Sequence, residues 1–591
     1  MLKKLENKLN KKLIVFGTLT IITLIIYSNS FMAQFTLDDF GNIVNNSSIR
    51  FPWDFPSLWK FYSNRVIIYF TFSINYFFHQ TEEIGYHIVN VLIHILNSII
   101  VYLIINNILS LKHFFGKLVY KYRNTISLFS ALVFATHPVQ VNAVTYIVQR
   151  TASLAAMFYF LAILFFIKYR LTDKVRNILL TLLFIVLAMF TKENTITIPF
   201  MLILIEFLFF LKDGRTTWKK RIVVILILLI TLPIIPATNV VFHGYSQSDP
   251  GVSFKASTSM PRDWYFYTQM NVIVHYIRLL FIPDRLNFDY SNDYPISHNI
   301  WENGSYISFG ILLLIGLFSL LNLKKNKLTS FGIMWFFIGL AVESSFISIK
   351  DVYFEHRLYF PIVGFAIFLI GMIFSGYRIV GRPYLFRKPL LFFVTFISII
   401  IVMNSVLTLK RNYVFSDNIR LWSDVVEKAP LSDRGHCILA TNYLNAYEDN
   451  KNNKDYLLRA EEEFKKAIEL NSRNDTAHCN LAKVYYLKGD YQKCIDEGNE
   501  TNKISRSEYA FFNIGLAYDK LNQPDKALSS YLSGYWVNGK CTFILKALGN
   551  AYEVKKDFVH AEFYYEKFLE YNDYSDSKEI KKKLEEIRKN K

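Results

Sequence analysis

Leu, Ile, Val and Phe recur before residue 409 in runs of about twenty residues, and at ~1.5 Å of rise per residue such a run crosses a ~30 Å hydrocarbon core. Runs of this length are incompatible with a soluble enzyme. They lie at 13–32, 85–109, 125–139, 151–167, 177–191, 194–211, 222–242, 305–323, 328–348, 358–376 and 389–408, which predicts an all-α polytopic membrane bundle of about eleven spans. Of the 591 residues 52% are hydrophobic and only 19% charged, as that class requires.

The net charge of +18 at first suggests nucleic acid, but the cations are placed by topology. Threading the spans alternately from a cytoplasmic N-terminus puts twenty-five Lys and Arg on the inner side and eleven in the longer outer segments before residue 409. The basic flank Lys3, Lys4, Lys8, Lys11 and Lys12 precedes a first run without a small-residue cleavage signal, so it reads as an uncleaved anchor. An odd number of spans then places the C-terminal part outside. The outer loops 33–84 and 243–304 each hold an interrupted aromatic stretch, 57–78 and 263–282, expected to lie along the interface rather than to span.

Beyond residue 412 the chain turns polar and repeats every ~34 residues, the length of a two-helix tetratricopeptide unit. Tyr485, Tyr518 and Tyr552 recur in register, as do the small residues Ala460, Cys494, Ala527 and Ala561. Such arrays stack into a superhelix that binds peptides or proteins. The cysteines Cys437, Cys479, Cys494 and Cys541 all lie here and read as small core residues, with no metal-binding spacing.

Ionisable groups at membrane depth are costly unless they face a cavity or a partner, so those near span ends carry the functional signal. Asp38 and Asp39 follow the first run; adjacent carboxylates on an irregular segment suit a general base with an orienting neighbour, and could hold a divalent metal. His87, Asn90, His94 and Asn97 form one polar stripe on a span, fit for interhelical hydrogen bonds or substrate contact. His137 and Arg150, then Lys192 and Glu193, then Glu355, His356 and Arg357 fall at outer span ends, against the positive-inside trend. Cations in that leaflet call for an anion, for which a lipid phosphate is a natural choice.

The ordered motifs TLDDFGNIVNN, GYHIVNVLIHILN, HPVQVNAVTYIVQR, FTKEN, YFEHRLYFP and RNYVFSDNIRLW, followed by the repeats, resemble the transmembrane-and-tetratricopeptide-repeat O-mannosyltransferases and their bacterial relatives, within the GT-C glycosyltransferases. The resemblance implies an inverting transferase at the outer face of the membrane, using a polyprenyl-phosphate sugar and glycosylating Ser or Thr of exported proteins. No nucleic acid and no obligatory cofactor is implied. Asp38 or Asp39 would be the base, while Arg150, Lys192 and Arg357 are candidates for the donor phosphate, with His87, Asn90, His94, His137, Glu193, Glu355 and His356 in support. The expected organisation is a membrane domain at 1–408, a connector at 409–434, repeats at 435–575 holding the acceptor, and a charged C-terminal helix or tail at 576–591. The reading EHRLYFP departs from the aspartate-arginine-tyrosine form of eukaryotic members, and the short array points to a bacterial inner membrane. Two alternatives remain open: a transferase acting on glycans or lipids, and a non-catalytic anchored scaffold.

Overall fold

In the computed structural model, residues 2–211, 217–235, 260–290, 293–349, 351–379, 389–571 and 577–590 are described; they form helices and connecting segments, with no strand among them. The chain divides into two compact units: one holds residues 1–290 and 294–421, the other residues 291–293 and 422–591.

In the first unit every predicted run contains a helix, and the helices differ in length. Among the described residues five helices are long and apolar enough to cross a bilayer: Glu83–Leu109, Ile147–Thr172, Glu193–Phe210, Glu302–Asn322 and Leu390–Phe415. Arg123–Thr136 and Pro138–Val144 make a sixth if their 51° bend is one broken span. Pro138 supplies that bend by removing an amide donor. Shorter apolar helices include Lys12–Ile26, Val175–Met189 and Lys327–Leu340. Apolar composition continues past their ends into irregular backbone, as at 341–348, which hydropathy alone cannot separate from helix. The predicted run 222–242 begins as Trp218–Leu229 and ends outside the described residues, as does much of the loop 243–304.

The stretch predicted to lie along the interface at 263–282 is the helix Arg262–Phe281, and that at 57–78 is two helices, Phe55–Phe61 and Val66–His79. The motif at 411–422 braces the end of Lys12–Ile26 and the segment after it: the Asn412 side-chain amide donates to the Ile26 carbonyl at 3.1 Å, and that of Asn418 to the Phe35 carbonyl at 2.9 Å.

The second unit is a run of antiparallel helix pairs from Asp433–Asp449 to Phe558–Tyr571, followed by Ser577–Asn590. Ala460, Cys494, Ala527 and Ala561 are fully buried where paired helices cross. A β-carbon on Gly515 or Gly549 would sit 2.3 Å from the ring of Tyr531 or Tyr565, so the ~34-residue period also fixes where a side chain must be missing. The four cysteines are free thiols. Ile580, Leu584 and Ile587 of Ser577–Asn590 join the apolar core around Leu548 and Tyr565.

Two repeats share an unusual link. His436 places Nδ1 2.5 Å from the Glu463 carboxylate and Nε2 3.0 Å from the Pro430 carbonyl; His478 does the same with Glu497 at 2.6 Å and Ser472 at 3.2 Å. All four partners are acceptors, and for His436 this favours the imidazolium, which alone donates from both nitrogens. Burial lowers the His436 pKa, but Glu463 and the Pro430 carbonyl outweigh it and the net shift is upward, against the repulsion of Lys466. A raised folded-state value contributes stability that is complete below the unfolded pKa of ~6.5 and is lost as pH climbs through the folded value. Hydrogen exchange of Asp433–Asp449, corrected for intrinsic rates, is therefore expected to accelerate from about pH 6 to about pH 8, and His436→Gln to remove most of that dependence. Equal protection across this range in both proteins would contradict it.

Candidate active site

Five segments far apart in sequence meet at a cavity of about 180 Å³ in the first unit. Asp38 comes from the segment after Lys12–Ile26, Arg65 from the residue before Val66–His79, and Gln149 and Thr151 from the opening of Arg150–Thr172. Lys192, Glu193 and Asn194 follow the end of Val175–Met189, and Glu343, Asp351, His356 and Arg357 belong to the stretch after Lys327–Leu340. Two of the segments are stitched together through backbone, where the Ile67 amide donates to the Phe190 carbonyl at 3.2 Å.

Side-chain ion pairs finish the assembly. Arg65 grips Glu193 through Nε at 3.0 and 3.2 Å and through Nη2 at 3.0 Å, the two-pronged geometry that guanidinium favours. Lys192 Nζ lies 2.7 Å from Glu343 Oε1, and Asn194 donates to Glu343 Oε2 at 3.3 Å. Burial alone would raise the Glu343 pKa, but Lys192 and Arg357 bring it below the usual carboxylate range, so it is ionised at neutral pH. Arg357 has its guanidinium on main-chain oxygens: Nη1 donates to Val352 at 2.9 Å and to Glu343 at 3.3 Å, Nη2 to Asp351 at 2.6 Å. Carbonyls orient that charge without cancelling it. Burial pushes the His356 pKa well below its ordinary value, reinforced by Lys192, Arg357 and Arg65, so the imidazole is neutral. Its buried Nδ1 has no hydrogen-bond partner among the described residues.

Asp38 and Asp39 part ways. Asp38 is exposed and lines the cavity, its amide donating to the Tyr146 hydroxyl at 3.0 Å. Asp39 is wholly buried, accepting from the Thr36 amide at 3.0 Å and the Val148 amide at 2.8 Å. Burial raises the Asp39 pKa against the pull of those two amides, which gives it basicity without access. Leu37, just before the pair, has a φ of 46°, a left-handed conformation unusual for a non-glycine residue. A metal shared by the two acids does not fit: both oxygens of Asp39 are engaged by backbone amides, and no cluster of three or more potential ligands occurs among the described residues.

The structure thus brings Asp38, Lys192, Glu193, His356 and Arg357 together and leaves the other expected site residues outside the cavity. Arg150 departs furthest from expectation. Its guanidinium is fully buried, donating to Asn90 Oδ1 at 2.6 Å and the Tyr86 carbonyl at 3.0 Å and lying 4.7 Å from the centre of the Phe72 ring, so its donors are spent inside the protein. The polar stripe is interhelical: His87 bonds the Ala33 carbonyl at 2.8 Å, Asn90 the Val144 carbonyl at 3.1 Å, and His94 and Asn97 both reach the Tyr359 hydroxyl, at 2.8 and 3.0 Å. His137 caps the helix break, accepting from the Val139 amide at 3.3 Å with its other nitrogen 3.2 Å from the Leu280 carbonyl. Glu355 is turned away to the Asn287 amide at 2.6 Å. Sequence reasoning passed over Arg65, Asn194, Glu343 and Asp351. Glu343 had a signal, being an acid inside an apolar window; Arg65 was hidden in a stretch assigned to the interface.

These contacts separate a buried anchor, Asp39, from an exposed acid, Asp38. Asp39→Asn replaces one acceptor oxygen by an NH2 facing an amide and is expected to cost about 1–3 kcal/mol of stability, whereas Asp38→Asn leaves the melting temperature of the purified protein within about a degree. Equal melting of the two variants would contradict this assignment.

The tetratricopeptide-repeat family pattern matches residues 509–534. Along the wider chain, a protein O-mannosyl-transferase of Caenorhabditis elegans is 25% identical over 62% of this chain and 51% of its own length. The protein O-mannosyl-transferase TMTC3 of Homo sapiens is 22% identical over 86% of this chain and 53% of its own. The chain spans about half the length of these curated relatives. Among solved structures, the crystal structure of MamA aligns with 27% of this chain and 90% of its own at 22% identity, with a TM-score of 0.24. Through the membrane unit and into the repeats, the sequence of this chain is similar to those protein O-mannosyl-transferases.

Proposed function

We propose that this protein is an inverting membrane glycosyltransferase of the GT-C type that moves a sugar from a polyprenyl phosphate to Ser or Thr hydroxyls of exported proteins. The observation that carries the reading is the meeting of an accessible carboxylate, Asp38, with Arg65, Lys192 and Arg357 in one cavity. The names of the relatives, protein O-mannosyl-transferases, favour a protein acceptor.

The reaction is a single displacement. The acceptor oxygen forms a bond to the anomeric carbon as the bond from that carbon to the phosphate oxygen breaks, and configuration inverts. A hydroxyl is too weakly acidic to attack unaided at neutral pH, so Asp38 takes its proton, a contribution of roughly 10²- to 10⁴-fold in rate. Negative charge builds on the departing prenyl phosphate, and Arg357 and Lys192 stabilise it, with Arg65 holding the Glu193 end of the wall. Neutral His356 suits a sugar hydroxyl rather than the phosphate. Asp39, Arg150 and the stripe His87, Asn90 and His94 serve the reaction by fixing the segments that carry Asp38 and its neighbours.

The repeats bind the acceptor polypeptide and raise its concentration at the enzyme. The inner-loop excess of Lys and Arg supports a cytoplasmic N-terminus with cavity and repeats outside, in a bacterial inner membrane.

Reconstituted protein with a polyprenyl-phosphate sugar and a Ser/Thr-rich acceptor should yield glycosylated acceptor by intact mass. Asp38→Asn should lower kcat by about 10²- to 10⁴-fold with folding intact. Transfer only to glycan or lipid acceptors would replace the protein substrate, and full activity in both Asp38→Asn and Arg357→Ala would leave an anchored scaffold in place of an enzyme.

A further inference from the structure

The charges around the cavity do not favour an anion. Four carboxylates, Asp38, Glu193, Glu343 and Asp351, line it against the three cations Arg65, Lys192 and Arg357. A sugar-phosphate lipid adds one more negative charge to a site where Lys192, Glu193, Glu343 and Arg357 are all buried and water screens poorly. One carboxylate has to give way.

The geometry distinguishes the four. Glu193 is locked by the fork of Arg65 through both its oxygens. Asp38 is exposed, and Asp351 is half-buried, so solvent screens both. Glu343 is held by one ammonium at 2.7 Å and one amide at 3.3 Å. Ammonium is a point charge whose three donors re-aim freely, so this pair exchanges partners more readily than a guanidinium fork does. The Glu343 main chain is meanwhile pinned, its carbonyl accepting from the Tyr265 hydroxyl at 2.6 Å and from Arg357 at 3.3 Å. Its side chain can therefore leave Lys192 without moving the wall of the cavity.

We propose that Glu343 is a resident counter-ion: its carboxylate holds the position on Lys192 that the donor's phosphate takes, and binding requires it to swing away or to be neutralised by a proton. The inference rests on the reading of the cavity as a lipid-phosphate site. In the empty protein Glu343 keeps Lys192 aimed and offsets the charge cluster of Lys192, Arg357 and Arg65. It also sets a threshold, because a ligand anion must compete with a built-in carboxylate, and this favours a phosphate that meets Lys192 and Arg357 together over a fatty-acid carboxylate that meets one.

The test is binding of geranyl phosphate, with geraniol as the uncharged control, to the purified full-length protein in detergent. Glu343→Gln keeps the shape and removes the competing charge; it should tighten geranyl phosphate by about 5- to 30-fold and leave geraniol unchanged, whereas a merely structural Glu343 would give weaker or equal binding. Lys192→Met should weaken the phosphate in either background. If Glu343→Gln does not fold, Glu343→Asp, which withdraws the carboxylate from Lys192 by one methylene, should tighten binding to a smaller degree. A phosphate that binds better than geraniol in the wild type but no better in a folded Glu343 variant overturns the counter-ion. Geranyl phosphate binding no tighter than geraniol in every variant overturns the phosphate-site reading itself.

Discussion

Irregular backbone carries amide and carbonyl groups that no helix satisfies, and in a unit made largely of membrane-type helices other parts of the protein have to supply their partners. The segment between Lys327–Leu340 and Ile362–Ile379 meets this demand with side chains from one helix. Tyr265 donates to the Glu343 carbonyl, Gln269 to that of Val352 at 2.8 Å, and Tyr276 to that of Phe354 at 2.8 Å. At ~100° per residue these three positions of Arg262–Phe281 fall on one face within about 40° of each other. A single helix thus holds most of one cavity wall, and Arg357 completes the work from inside the segment. The cationic group that Arg357 places on the cavity wall is at the same time the donor set that holds the loop presenting it.

The same economy governs the ion pairs. Lys192 and Glu193 are neighbours in sequence but are not partners; each pairs across the cavity, Lys192 with Glu343 and Glu193 with Arg65. A local pair would have left the residues near 65 and near 343 untied. Cross-pairing draws three segments together, and because the side chains of Lys192, Glu193 and Glu343 are only about a tenth exposed, each partner's loss would leave an uncompensated buried charge.

How much of this was legible in the sequence depends on how local the cause is. Hydrophobic runs and the ~34-residue repeat are local periodicities and survive in the structure as helices and helix pairs. Span length was less legible, since the backbone leaves the helix at Leu340 while apolar residues continue, and only the tertiary contacts of Glu343 and Val352 explain why it can. Arg150 shows the limit most sharply. A cation at an outer span end looks the same in sequence whether it faces a ligand or the protein, and its partners Asn90 and Tyr86 lie more than fifty residues upstream. The stripe of His87, Asn90, His94 and Asn97 was legible as a polar face, but its partners, from Ala33 to Tyr359, are again non-local.

The pair Asp38 and Asp39 was ambiguous for a different reason. Both residues are carboxylates, and at ~100° per residue on a helical turn consecutive side chains diverge, so the two are told apart by which one is buried. Asp39 is consumed by two backbone amides, each worth about 0.5–1.5 kcal/mol, and these can offset the roughly 1–3 kcal/mol of holding Leu37 in a left-handed conformation. The Val148 amide opens the turn before Arg150–Thr172, and the Tyr146 hydroxyl that receives the Asp38 amide belongs to the same turn. Asp38 is therefore held through its backbone by that turn, beside the buried Asp39. The buried acid and the turn at 146–148 together anchor the start of the short helical stretch that carries both residues and continues as Phe40–Val44, so one acid fixes the position from which the other reaches the cavity.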